Sequence, residues 1–154
     1  MTEKEKKVIF IDMDGVITDF LGGVDTYWEK HHNKSKKRTE PDTIPGIFRD
    51  LLPIEGAIDS INRLAESGKY ELYIATTAPW GHPEAATDKR YWIEKYFGEL
   101  FHKRLTITHN KDMLYGDYLI DDRTKNGAGE FRGELIHFGT KKFPDWEAVL
   151  KYLV

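Results

Sequence analysis

With 154 residues, 40% of them apolar and 13% aromatic, the chain has the length of one domain, with room for a small inserted subdomain and enough apolar side chain for a core. Its net charge of −3 offers no general attraction for a nucleic acid polymer or an anionic membrane, so an anionic ligand would have to be met by locally concentrated positive charge. The absence of cysteine excludes disulfides, thiolate catalysis and cysteine-ligated zinc.

The charged residues 1–7 lead directly into Val8-Ile9-Phe10-Ile11, a run too short for a signal peptide or a membrane span, which points to a cytoplasmic protein. Continuous apolar, β-branched character predicts a strand buried on both faces of a parallel sheet. Asp12-Met13-Asp14-Gly15-Val16-Ile17-Thr18-Asp19 comes next and puts polar groups beyond the strand's carboxyl end, where open α/β sheets bind ligands. Residues 20–53 differ in character. Tyr27, Trp28 and Phe48 mix with the basic cluster Lys34, Lys36, Lys37 and Arg38, and Pro41, Pro45 and Pro53 punctuate the stretch. A small, partly helical insertion is expected there, dividing the chain into a core of 1–19 and 54–154 and a cap of 20–53.

Ala57, Ile58, Ile61, Leu64 and Ala65 recur at helical spacing within 56–67, with Gly68 as the stop. Leu72-Tyr73-Ile74-Ala75 predicts a second strand, leading to Thr76-Thr77-Ala78-Pro79. A helix capped by Thr87 or Asp88 is expected to run to Phe97 and stop at Gly98, with Tyr91, Trp92, Ile93 and Tyr96 among its apolar positions. Leu105-Thr106-Ile107, Tyr118-Leu119-Ile120 and Leu135-Ile136-His137-Phe138 supply three more strands, and Asp145 caps a last helix. Strands alternating with helices predict an α/β fold, a three-layer sandwich around a parallel sheet.

Three apolar strands thus end in polar clusters: Asp12 and Asp14, Thr76 and Thr77, Asp121 and Asp122. In a parallel sheet all three face one crevice. Four converging carboxylates repel one another unless a cation lies among them, and an all-oxygen ligand set suits a hard ion such as Mg²⁺. A carboxylate can accept a phosphoryl group as an acyl phosphate, a cation can cancel the repulsion between anionic nucleophile and anionic phosphate, and a second acid can move the proton. Thr76 and Lys111 are candidates to hold the remaining phosphate oxygens. Taken singly, Asp121-Asp122 suits a solvated turn and Thr76 a helix cap; their shared position at strand ends favours a site.

The opening Asp12-Met13-Asp14-Gly15-Val16-Ile17-Thr18-Asp19-Phe20 resembles the first motif of the haloacid dehalogenase superfamily of phosphotransferases. Thr76 matches the second motif, Lys111 the third and Asp121-Asp122 the fourth. The sequence is more specifically similar to the 5'(3')-deoxyribonucleotidase family, in Phe48-Arg49-Asp50-Leu51 before Pro53 and Gly56, in Lys89 before Trp92-Ile93-Glu94-Lys95-Tyr96-Phe97-Gly98, in Leu119-Ile120-Asp121-Asp122-Arg123 and in Trp146. The resemblance implies a Rossmann-like fold with a helical cap after the first strand. It implies a phosphomonoesterase with Asp12 as nucleophile and Asp14 as general acid and base. Mg²⁺ would be held by the Asp12 side chain, the Asp14 carbonyl and an acid of the 121–122 pair. Thr76, Lys111, Thr77 and Lys89 would bind phosphate, and Phe20 and Phe48 would line the substrate pocket. The implied substrate is a small phosphomonoester, in particular a nucleoside monophosphate, and the family often pairs as dimers.

Other readings stay open at this level. The stretch 20–53 looks shorter than in the animal members, which leaves another phosphometabolite such as a sugar phosphate as an alternative, and a non-catalytic phosphate-binding module as a more distant one. Lys89 could decorate a helix surface, and Trp28 and Phe48 could be cap core or a base-stacking face. Lys34 to Arg38 suits a solvated face or the attraction of an anionic substrate. His31 and His32 lack partners at metal-binding spacing, Trp92 and Tyr96 suit a core, and Gly127 and Gly129 suit a flexible loop.

Overall fold

The computed structural model describes residues 5–31 and 41–154; Lys34, Lys36, Lys37, Arg38 and His32 lie outside them. Five parallel strands form one sheet: β1 (Lys7–Ile11), β2 (Tyr70–Thr76), β3 (Leu105–Ile107), β4 (Tyr118–Asp121) and β5 (Glu134–His137), in the order β3-β2-β1-β4-β5. The chain builds outward from β1 through β2 to β3, then returns to the other side of β1 for β4 and β5. That reversal creates a switch point beside the carboxyl end of β1, where a crevice opens.

Alternation along each strand sends side chains to two faces. Ile9, Ile11, Leu72, Ile74, Ile120 and Ile136 join a large apolar cluster, while Phe10, Ala75, Leu119 and neighbouring Phe131 form a smaller one. The large cluster lies under the helices α2 (Ala57–Glu66), α3 (Glu84–Phe97) and α4 (Trp146–Leu153), which supply Ile61, Leu64, Trp92, Ile93 and Val149. The smaller one is closed by Leu114, Ala128 and Phe131, which lie in or directly after the single-turn segments 111–113 and 128–130. Among the described residues the third layer is therefore thin and made of turns.

Local chemistry explains most element ends. Gly68, in the left-handed region at φ +73°, comes just after the last turn of α2. Asp145 caps α4 by accepting from the Ala148 N–H at 2.9 Å. The start of α3 departs from expectation. It begins at Glu84, after Pro83, and neither Thr87 nor Asp88 caps it. Proline suits the entry of a helix because its missing N–H leaves no donor orphaned there. Asp88 is instead buried within α3 and takes the Arg49 guanidinium at 2.9 Å.

Between β1 and α2 the chain forms helix α1 (Phe20–His31) and a short turn, Pro41–Thr43. Asp19 caps α1 by accepting from the Gly22 N–H at 3.0 Å. Val24 and Trp28, one turn apart, are buried with Ile44, Ile47, Phe48 and Leu51 in the same large cluster as the sheet. The Trp92 indole N–H donates to the Leu51 carbonyl at 2.8 Å, tying α3 to this stretch.

Candidate active site

Asp12 comes directly after β1, and its backbone N–H still donates to the Ile120 carbonyl at 2.9 Å, so sheet-held backbone carries the carboxylate. The side chain is buried. Lys111 meets it from across the crevice: its Nζ donates to Asp12 Oδ1 at 3.0 Å and to Asp121 Oδ2 at 2.6 Å. The Lys111 N–H in turn donates to the Asn126 carbonyl at 2.7 Å. This approach requires Gly127, at φ +81°, because a Cβ there would overlap the Asp112 side chain and press the Lys111 N at 2.9 Å. The glycine expected to loosen a loop thus lets two turns close together.

The two acids at the end of β4 stand in different circumstances. Asp121 has both oxygens engaged, Oδ2 by Lys111 and Oδ1 by the Arg123 N–H at 2.9 Å. Asp122 Oδ1 is buried and has no hydrogen-bond partner among the described residues. A lone buried carboxylate oxygen is costly and asks for a ligand. Carboxylate oxygens of Asp12, Asp121 and Asp122 lie within 4.8 Å of one another, an acidic group able to hold a metal ion. Gly15, at φ +83°, permits this arrangement, since a Cβ there would overlap the Asp122 carboxylate.

A second network adjoins the first. Asp14 Oδ1 accepts from the Thr18 hydroxyl at 2.8 Å and Oδ2 from Lys89 Nζ at 2.7 Å. The Lys89 ammonium, itself buried, also donates to Thr76 Oγ1 at 2.8 Å and lies 4.8 Å from the Phe48 ring centre. Four carboxylates (Asp12, Asp14, Asp121, Asp122) thus face two ammonium groups (Lys89, Lys111), a formal excess of two negative charges. Oxygen-only donors with that excess fit a hard divalent cation.

The electrostatics agree. Burial pushes the Asp12 carboxyl well above the usual carboxylate range; Lys111 opposes this, Asp121 and Asp14 add to it, and Lys89 opposes it again. Burial and then the Asp121 charge likewise raise Asp122, with Arg123 among the groups that oppose them. For Lys111 burial pulls downward, but its two carboxylate partners outweigh it and leave the ammonium above the ordinary lysine value.

A cavity of about 850 Å³ opens in front of these groups. Asp14 and Asp122 line it from the core, Thr77, Pro79 and His109 from the loops after β2 and β3, and Phe20, Pro41 and Phe48 from the 20–53 stretch.

Comparison with known proteins identifies the family of the chain. A family model described as 5' nucleotidase, deoxy (pyrimidine), cytosolic type C protein matches residues 42–144. A Vibrio phage KVP40 protein assigned as a 5'(3')-deoxyribonucleotidase is 47% identical over 151 residues, spanning 97% of this chain and 85% of that protein. The chain belongs to the 5'(3')-deoxyribonucleotidase family. The cytosolic-type human 5'(3')-deoxyribonucleotidase is 27% identical, over 92% of this chain and 78% of its own length. Among solved structures, a Bacillus subtilis HAD-hydrolase bound to magnesium matches with a TM-score of 0.57 at 13% identity, covering 97% of this chain and 99% of that one. That likeness shows the haloacid dehalogenase fold, and family membership makes the chain a phosphoric monoester hydrolase of nucleotidase type.

The structure brings together Asp12, Asp14, Thr76, Lys89, Lys111, Asp121 and Asp122. Lys89 is buried at the site rather than on a helix surface. Thr77 lines the cavity, but its hydroxyl donates to the Thr108 carbonyl at 2.8 Å. Phe20 and Phe48 both line the cavity and stack with ring centres 5.3 Å apart, and Phe48, only 2% exposed, is also part of the core, as is Trp28. His31 is exposed, its ring stacked 4.0 Å from that of Tyr27. Trp92 is buried and Tyr96 packs against it as core. Sequence reasoning did not single out Thr18, His109, Arg123 or Asn126. Thr18, four residues after Asp14, carried a legible signal; the others depend on which loops meet.

No described helix is long and apolar enough to cross a membrane.

Proposed function

We propose that the chain dephosphorylates deoxyribonucleoside monophosphates through a phosphoaspartate on Asp12. The observation that supports this most is the buried group of Asp12, Asp121 and Asp122 oxygens with Lys111 held between Asp12 and Asp121, together with family membership. An Asp12 oxygen attacks phosphorus and forms the acyl phosphate as the ester oxygen departs. Asp14, oriented by Thr18 and Lys89, gives that oxygen its proton and then takes one from the water that cleaves the phosphoaspartate. Thr76 accepts from Lys89, which leaves its hydroxyl hydrogen to donate to a phosphate oxygen, and the two lysines offset the charge of the transferred group.

Mg²⁺ would be held by the side chains of Asp12 and Asp122 and the Asp14 carbonyl. The unpartnered Asp122 Oδ1 favours Asp122 over Asp121, whose oxygens are already engaged. When bound, the ion supplies Lewis-acid stabilisation of the phosphoryl charge and pulls the raised Asp12 carboxyl back to its anionic, nucleophilic form. The 20–53 stretch serves as the cap that selects the substrate, and a cytoplasmic location fits both the family and its substrates.

A panel of phosphomonoesters assayed with and without Mg²⁺ tests the reading. Metal-dependent turnover with preference for deoxyribonucleotides is expected. Equal or better hydrolysis of sugar phosphates would overturn the substrate assignment, and full activity in Asp12→Asn would overturn the nucleophile.

A further inference from the structure

Phosphate chemistry occupies one end of the cavity, and the distal end is left to be explained. Phe48, which the sequence left open as cap core or base-stacking face, is 2% exposed, covered by Phe20 and approached by Lys89 at 4.8 Å. It has almost no face to offer a ligand. Trp80 is the opposite case. It is 90% exposed, whereas the other three tryptophans, Trp28, Trp92 and Trp146, are 7% exposed or less.

Trp80 is exposed and yet held in place. The His82 N–H donates to the Pro79 carbonyl at 3.0 Å, closing a tight turn with Trp80 and Gly81 at its tip. Pro79 restricts the entry to this turn and itself lines the cavity. At the other end His82 is 4% exposed and donates through Nδ1 to the Asp42 carbonyl at 2.7 Å. The neighbouring loop is locked alongside: the Thr108 N–H donates to the Thr76 carbonyl at 2.9 Å and the Thr77 hydroxyl to the Thr108 carbonyl at 2.8 Å. This places His109, a cavity-lining residue, edge-on to Trp80 with ring centres 6.2 Å apart. The pinned backbone keeps this large ring where a planar group can land on it, so that only its side-chain rotation remains to be lost on contact.

The cavity of about 850 Å³ also exceeds what a phosphate needs. Pro79 and Trp80 lie within four residues of Thr76, and His109 precedes Lys111 by two, so the loops that hold phosphate also carry this aromatic pair. We propose that Trp80, oriented by His109, is a specificity-determining residue that stacks on the nucleobase at the mouth of the cavity. The proposal rests on the nucleotidase reading above and adds the contact that recognises the base.

The test pairs kinetics with binding in the full-length protein. In Trp80→Ala, the ratio of kcat/KM for thymidine 5'-monophosphate to that for deoxyribose 5-phosphate should fall on the order of 10-fold, mostly through KM. Trp80→Phe, which keeps a ring, should restore most of the ratio. In the Asp12→Asn background with Mg²⁺, thymidine 5'-monophosphate should quench tryptophan fluorescence while inorganic phosphate does not, and Trp80→Phe should abolish the quenching. An unchanged ratio with unmoved fluorescence would overturn the proposal, as would an equal loss on both substrates. Failure of the nucleotidase reading looks different: the unsubstituted enzyme would turn over other phosphomonoesters but no deoxynucleotide. The fluorescence titration then still reports whether a nucleotide reaches Trp80, and no quenching would overturn the contact as well.

Discussion

The site has two walls of different construction. The strand-end wall consists of Asp12, Thr76, Lys111 and Asp121, all buried and each hydrogen-bonded to another charged or polar group of the site. The wall from 20–53 is aromatic and apolar, built on Phe20, Phe48 and Pro41, with Arg49 reaching across to Asp88. Charges buried in low dielectric lose heavily when a partner is removed, whereas apolar contacts give way gradually. On the proposed reading the first wall tolerates little change, because its groups would carry the reaction, while the second can be remodelled to choose what enters.

The largest effect should come from Asp12→Asn, with turnover falling at least about 10³-fold while the melting temperature holds or rises, because the amide removes a carboxylate that burial already disfavours. A clear drop in melting temperature would mean that the Asp12–Lys111 pair contributes more to the fold than burial of the Asp12 carboxylate costs. Lys111→Met strips two buried carboxylates of their shared cation. Its expected cost is about 3 kcal/mol by urea denaturation without Mg²⁺, in addition to lost activity. An activity loss at unchanged stability would break the comparison, since the ion pairs would then contribute nothing to the fold.

Gly15→Ala forces a methyl group against the Asp122 carboxylate in a backbone conformation that disfavours alanine. The Mg²⁺ concentration for half-maximal activity should rise about 10-fold, with little change in kcat at saturating metal. If kcat fell and the metal requirement stayed put, Asp122 would not be the ligand. The smallest effect belongs to the seam between the walls. Trp92→Phe removes the hydrogen bond to the Leu51 carbonyl and should cost about 1–2 kcal/mol in thermal or urea unfolding. The rate constant for a bound substrate should stay within about 2-fold of the original. A larger drop in kcat would show that seating of the 20–53 stretch governs the chemistry as well as entry.

Legibility in the sequence divided along the same line. Strand-end residues could be found because buried parallel strands are written as uninterrupted apolar runs, and Val8-Ile9-Phe10-Ile11 and Tyr118-Leu119-Ile120 each point to the acids at their carboxyl ends. Lys89 could not be placed with the same ease, as a lysine in a helix usually faces water; the carboxylate of Asp14, the hydroxyl of Thr76 and the ring of Phe48 make its burial tolerable. Asp88 misled for a related reason. It looks like a cap by residue type, but its carboxylate is satisfied by Arg49, from a segment 39 positions away. Gly127 suggested looseness, and close packing against Lys111 shows a steric need instead.

The five-strand α/β plan, the acids and hydroxyl at the strand ends and the family to which they belong are all written in the amino-acid order, because each is encoded in short, local runs of apolar and polar residues. Folding in three dimensions was needed to settle that Asp121 is engaged by Lys111 while Asp122 keeps an oxygen unpartnered among the described residues, that Phe48 is covered, and that Trp80 stands open beside His109. Those outcomes depend on which loops meet in space, and a hydrogen bond or a covered ring belongs to the meeting rather than to either segment.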